Sequence, residues 1–350
     1  MTTSPILSII VPSFNQGDFI ESTILSVLKQ DFHDWELIIQ DGGSKDSTEA
    51  VCKAYEKRDS RIRFYSEKDK GFADAVNKAI DKAKGTIAAI QSSDDFYSSS
   101  QVFTEAVRIF REKPDLILVS AYHCSVDKDL QEICVTPKEQ KQVNGLIEAS
   151  KLYNLGVHFP QSSTFFNLER ARLVGKLDEN VDMVADTDFW IRLANYSPIH
   201  KSGIFRHDEL WSCVIVHESQ RSVDQCQFAL GRAKMYFRYL TNQRLEVSQD
   251  VKFRTFYGNL IDAVEYFNAQ KKDDTELRKM YESAYKQSIP IRWKIKSAMS
   301  KLGILRKLIY KNVPQRSSLD LLAYPRGKSF NWFKANEVEL NQINVNESER

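Results

Sequence analysis

Four clusters of polar residues recur through the first hundred positions, each directly after an apolar run. They read Pro12-Ser13-Phe14-Asn15-Gln16-Gly17, Asp41-Gly42-Gly43-Ser44-Lys45-Asp46-Ser47-Thr48, Glu67-Lys68-Asp69-Lys70-Gly71 and Ser92-Ser93-Asp94-Asp95. Hydroxyls, carboxylates and small residues in such loops suit a phosphorylated ligand. Neither GxGxxG nor GxxxxGK[ST] occurs, so the dinucleotide and P-loop fingerprints are missing. A phosphate here needs another counter-charge, and the adjacent Asp94 and Asp95 offer hard oxygen ligands for a divalent cation, Mg or Mn.

The elements that must position these loops follow from two alternating periodicities. Leu7 to Pro12, Trp35 to Gln40, Ile62 to Ser66, Thr86 to Gln91 and Leu116 to Ser120 are short apolar runs of the kind buried on both faces of a sheet. Between them lie helical stripes: Ile20, Ile24, Val27 and Leu28, then Ala50, Val51, Ala54 and Tyr55. A stripe through Phe72, Val76, Ala79, Ile80 and Ala83 is the strongest, and Val102, Phe103, Ala106, Val107 and Phe110 form the fourth. Asp46-x-x-Glu49 has the form of a capping box opening the second helix. Strands alternating with helices of this length predict right-handed crossovers and a doubly wound, mostly parallel, Rossmann-like sheet. Ligands of such sheets sit beyond the carboxyl ends of the strands, where the polar clusters fall.

The chain has 350 residues, 49 Lys+Arg against 47 Asp+Glu, and a net charge of +2. That length predicts a large domain with an appendage, and the charge balance argues against a nucleic-acid partner. No apolar stretch is long enough to span a bilayer, and the start lacks the features of a secretory signal. Cys52, Cys124, Cys134, Cys213 and Cys226 make no CxxC pair, which predicts free thiols and a cytoplasmic location.

Taken in order, the clusters resemble the family-2 glycosyltransferases, whose catalytic domain has the GT-A fold. The matching text is SIIVPSFNQGDFIESTILSVLKQ, WELIIQDGGSKDST, SEKDKGFADAVNKAIDKAKG and IAAIQSSDD, then more loosely QSSTFF, ADTDFWIRLA and VIVHESQRS. The resemblance covers roughly residues 6–222. It implies a nucleotide-diphosphate sugar donor contacted by Pro12, Asn15 and Asp41, with Asp69 and Asn77 lining the donor site. Asp94 would lie near the ribose, and Asp95 would ligate the metal with His217 nearby. Asp186 would be the general base that deprotonates an acceptor hydroxyl, with Asp188 as helper or cap. Where relatives often have Glu, Ala185 precedes Asp186. Anomeric inversion is likewise an implication of the resemblance.

The QxxRW motif of processive synthases is absent, which favours single addition. A nucleotidyltransferase would need a cation after the first strand, and none is there. The alternative from another class is a module of the same fold that binds a nucleotide sugar or glycan without catalysis. The catalytic domain is expected over 1–222, in halves meeting near 120, and a helical C-terminal extension over 223–350. From Gln287 to Arg316 there are eight basic residues and no acidic one, interleaved with apolar side chains. This predicts a peripheral contact with an anionic membrane surface, consistent with a glycan or lipid-linked acceptor in cell-surface polysaccharide synthesis.

Overall fold

The computed structural model describes residues 4–135, 145–148, 159–195, 203–241 and 247–286. The basic segment 287–316, with the membrane contact expected of it, lies outside the described residues.

The first half follows the expected alternation: β1 (Leu7–Ser13), α1 (Ile20–Leu28), β2 (Trp35–Asp41), α2 (Thr48–Arg58), β3 (Ile62–Ser66), α3 (Phe72–Lys82) and β4 (Ile87–Ile90). β3, β2, β1 and β4 lie side by side, all parallel. Every residue of β1 is buried, because its two faces meet two separate cores. Leu7, Ile9 and Val11 join one cluster with Ile20, Ile24 and Phe103, while Ile10 joins the other with Val76 and Ala79. A period of two splits a continuous apolar run between faces, and the helices on each side complete the burial. Phe103 is fully buried, and its truncation to Ala would cost about 3–5 kcal/mol.

Beyond β4 the pattern changes. The polar turn after it leads into a three-residue strand, β5 (Asp95–Tyr97), then α4 (Val102–Glu112) and β6 (Leu118–Val126). β6 therefore runs past the expected end at Ser120, through Ala121 to Val126. β7 (Glu132–Val135), β8 (Gly145–Glu148), β9 (Thr164–Asn167), α5 (Leu168–Val174), α6 (Ala185–Asn195) and β10 (Gly203–Ile215) follow. The full order is β3-β2-β1-β4-β9-β6-β10-β5. β9 enters antiparallel between β4 and β6, and β5 is antiparallel to β10. The sheet is thus parallel across the first four strands and mixed beyond, because β9 and β5 return without a helical crossover.

α7 (Gln225–Thr241), α8 (Gln249–Ala269) and α9 (Thr275–Lys286) complete the described chain. The boundary expected at 222 falls just before α7. Ala229, Tyr239 and Phe256 nevertheless share one core with Val76 of α3 and Phe189 of α6, so the packing runs on across it. Cys52, Cys124, Cys213 and Cys226 are free and buried. Among the described residues no helix is long and apolar enough to cross a membrane.

Candidate active site

A cavity of about 610 Å³ opens at the carboxyl ends of β1 and β4. Pro12, Asp69, Asp94, Asp95 and Asp186 all line it, so residues expected from four separate segments converge on one space. The sheet explains this: β1 and β4 are registered neighbours whose following loops must emerge side by side.

The loop after β1 is zipped to the loop after β2. The Asn15 amide donates to Ser44 Oγ (2.7 Å), Gln16 N to Thr48 Oγ1 (2.9 Å) and Gly17 N to Asp46 Oδ2 (2.8 Å), while Asn15 Oδ1 accepts from Lys45 N (2.9 Å). Asn15 adopts a φ of 53°, a left-handed conformation that Asn tolerates better than most residues. The expected capping box does not form. α2 starts at Thr48, and Asp46 accepts from the Thr48 amide and hydroxyl as well as from Gly17. Burial pushes the Asp46 carboxyl up, but those hydrogen bonds outweigh it and hold the group below its ordinary value. Glu49 instead pairs with Lys53.

Asp41 is fully buried and accepts from the amides of Gly43 and Ser44 and from the hydroxyls of Ser44 and Ser66. Its carboxylate, like Asn15, shapes the joined loops after β1 and β2, and neither residue is among those lining the cavity. Asp69 does line the cavity. Burial pushes its carboxyl up, and the neighbouring Asp74 and Asp41 add to this against the Gly71 amide and Lys78. Asn77 is placed elsewhere than expected: it is buried and exchanges hydrogen bonds with the backbone of Leu177 (3.0 and 2.8 Å), joining α3 to the chain before α6. It does not line the cavity.

Asp94 and Asp95 point into different surroundings. Asp95 begins β5 and is almost fully buried. Burial, then the charge of Asp94, push its carboxyl well up, against hydrogen bonds from Ser162, Ser92 and the Ile215 backbone. Asp94 meets His217, Nε2 to Oδ2 at 3.0 Å. The imidazole is held from its other side, with Nδ1 2.7 Å from Ser219 Oγ and its ring stacked on Phe19 at 4.3 Å. At 3.0 Å the two atoms are hydrogen-bonded, so a divalent cation taken up here would replace the proton between a carboxylate oxygen and an imidazole nitrogen, both of which are ordinary ligands of such ions. Among the described residues no group of three His, Cys, Asp or Glu side chains could hold a metal, so the remaining positions would need ligand oxygens or water.

Asp186 lies in the first turn of α6, half-buried, and lines the same cavity. Asp188, the expected helper, does not. It is fully buried and takes Arg192 Nε (2.7 Å), Arg238 Nη2 (2.6 Å) and Tyr239 Oη (2.6 Å). Arg238 also pairs with Asp178. Asp188 thus ties α6 to α7 and stands behind the wall that carries Asp186.

Sequence reasoning missed three groups on the rim. Phe14 is 57% exposed and lines the cavity mouth, a flat apolar face beside the donor loops. Arg221 lines the cavity and pairs with Asp182 (2.6 Å), whose other oxygen accepts from Ala73 N (2.7 Å) at the start of α3. Gly71, at φ 128°, lets Asp182 come this close: a β-carbon there would lie 2.9 Å from its carboxylate. Arg221 stands four residues after His217 in VIVHESQRS, and that spacing past a strand end was the available signal.

The fold and the carboxylate-lined cavity define a nucleotide-sugar-type α/β architecture, the GT-A fold. Comparison with known proteins agrees: residues 8–167 match "Glycosyl transferase family 2". The chain is 42% identical over 99 residues to the putative teichuronic acid biosynthesis glycosyltransferase TuaG of Bacillus subtilis (strain 168), covering 28% of this chain and 39% of that one. It is 29% identical over 205 residues to the uncharacterized glycosyltransferase EpsJ of the same organism, covering 59% and 57%. It thus spans well under two thirds of either relative. Among solved structures, S. aureus TarS 1–349 in complex with UDP-GlcNAc superposes with a TM-score of 0.58 at 15% identity, over 75% of this chain and 73% of that one. That likeness is one of fold.

Proposed function

We propose that the protein transfers a sugar from a nucleotide-diphosphate donor to a hydroxyl of a glycan or lipid-linked glycan, with inversion at the anomeric carbon. The observation that carries this reading is the convergence of Asp69, Asp94, Asp95, Asp186 and Arg221 on one cavity, with His217 buried behind Asp94. A donor seated there would place its diphosphate against Asp94 and Arg221, and its sugar toward Asp186. Phe14 offers its face to the base, and Pro12 and Asp69 border the nucleoside. The match of residues 8–167 to "Glycosyl transferase family 2" and the teichuronic acid role in TuaG's name support the assignment to cell-surface polysaccharide synthesis.

In the step itself, the acceptor oxygen forms a bond to the anomeric carbon as the bond from that carbon to the diphosphate oxygen breaks. The nucleoside diphosphate leaves with the electron pair, and the hydroxyl proton passes to Asp186. A carboxylate in the first turn of a helix is stabilised in its ionised form by the amides there, and half-burial limits competing water. A divalent cation, when bound at Asp94 and His217, would neutralise charge developing on the departing diphosphate. Arg221 would add a second positive charge on the same side, released from Asp182 as the diphosphate competes for its guanidinium.

The test is donor turnover across a panel of nucleotide sugars, with and without EDTA, in the parent chain and in Asp94→Ala and Asp186→Asn. Loss of turnover with EDTA and in both variants, with the fold intact by circular dichroism, is the expected result. Full turnover in both variants would overturn the assignment of roles.

A further inference from the structure

On α7 one basic side chain stands beside the cavity without a counter-charge. Arg232 lies one turn beyond Phe228, which lines the cavity on the Asp186 side. Its guanidinium carbon sits 5.4 Å from the centre of the Phe228 ring. Among the described residues Arg232 pairs with no carboxylate, whereas Arg221 and Lys234 on either side of it do. Arginines in such half-buried positions are ordinarily engaged, and among the described residues this one has no acceptor for its Nε, which is shielded from water.

Its position is fixed relative to Asp186. Gly231 brings α7 against the turn Glu179–Val184: a β-carbon at 231 would be 3.4 Å from Val184 and 3.5 Å from Met183. That turn runs directly into α6 and Asp186. Arg232 is one helical pitch, about 5.4 Å, past a residue of the cavity wall, comparable to the span of one pyranose ring.

We propose that Arg232 recognises an anionic group, a phosphate or a carboxylate, on the acceptor, where the acceptor passes Phe228 at the cavity wall. This rests on the transferase reading above and names the class of acceptor it uses. The planar guanidinium, stacked on Phe228, presents two parallel N–H donors that match either oxyanion. The phosphate of a glycosyl phosphate and the carboxylate of a uronic acid are the two sources of this chemistry.

The experiment uses the full chain saturated with UDP, so that the diphosphate site is filled. Binding of glucose 1-phosphate, methyl glucuronide and neutral methyl glucoside is measured by calorimetry or ligand-observed NMR. At least one anionic probe is expected to bind about tenfold tighter than methyl glucoside, and which one does so names the source. Arg232→Gln should remove that advantage and Arg232→Lys should keep part of it, both with UDP affinity unchanged. No anionic preference in the parent chain, or a preference that survives Arg232→Gln, overturns the proposal. Failure of UDP to bind counts against the transferase reading instead, and the same probes are then compared without nucleotide.

Discussion

In the loops that follow β1 to β3, carboxylates and hydroxyls bond mainly to backbone amides of the next loop. Beyond β4 they meet arginines and a histidine from distant elements. Asp41, Asp46 and Asn15 each close turns within the first half of the chain. Asp94, Asp182 and Asp188 instead reach His217, Arg221 and Arg238. The first region is held by local hydrogen bonds on a parallel sheet. The second is a set of charges whose arrangement depends on the whole mixed sheet and on α7. A substitution in the first region should loosen one loop, whereas one in the second should affect chemistry or global stability.

The largest expected effect is at Asp186. Asp186→Asn keeps the shape and removes the base, and should lower kcat by about 10²–10⁴-fold with little change in nucleotide affinity, measured by transfer assay and calorimetry side by side. Next, Asp94→Ala and His217→Ala should each weaken Mn binding about tenfold to a hundredfold, read by titrating the metal requirement. Equal metal dependence in all three proteins would dissolve the contrast between the two regions. Asp188→Ala leaves Arg192 without its buried partner and should destabilise the fold by about 3–5 kcal/mol, seen as a lowered unfolding midpoint in urea. The smallest effect is expected at Asp46. Asp46→Ala should cost about 1 kcal/mol or less, and the cost should depend on pH. Because the carboxyl is held below its ordinary 3.8, its contribution is present above that pH and fades as pH falls through the lower folded value. A variant indistinguishable from the parent at neutral pH would mean that the zipped loops owe nothing to this group.

The first region was readable because its chemistry sits where periodicity says strands stop. Pro12 lies at the end of β1, Asp41 ends β2 and Asp69 follows β3, and a parallel sheet brings such positions together. The second region was less so. Asp186 was found only through resemblance, and its neighbour was misread for a geometric reason. Residues two apart on a helix point about 200° apart, so Asp186 and Asp188 could not both face the cavity. Asn77 carries a similar lesson, since it falls on the buried stripe of α3 with Ala73, Val76 and Ile80, the face turned to the core. The strand β5 escaped notice because three residues carry no periodicity. Arg221 and Asp182 meet across 39 positions of sequence, a distance over which spacing gives no guidance.

The bond between Asp94 and His217 spans 123 residues, and the anchor behind Asp186 waits for Arg238 on α7. During synthesis the parallel strands therefore leave the ribosome well before the residues that would complete the site. A nascent chain can bury its parallel half early, yet Asp94 meets His217 and Asp188 meets Arg238 only once those late residues have emerged. The order of elements along the chain thus sets an order of assembly, with the parallel sheet first and the charged pairs last.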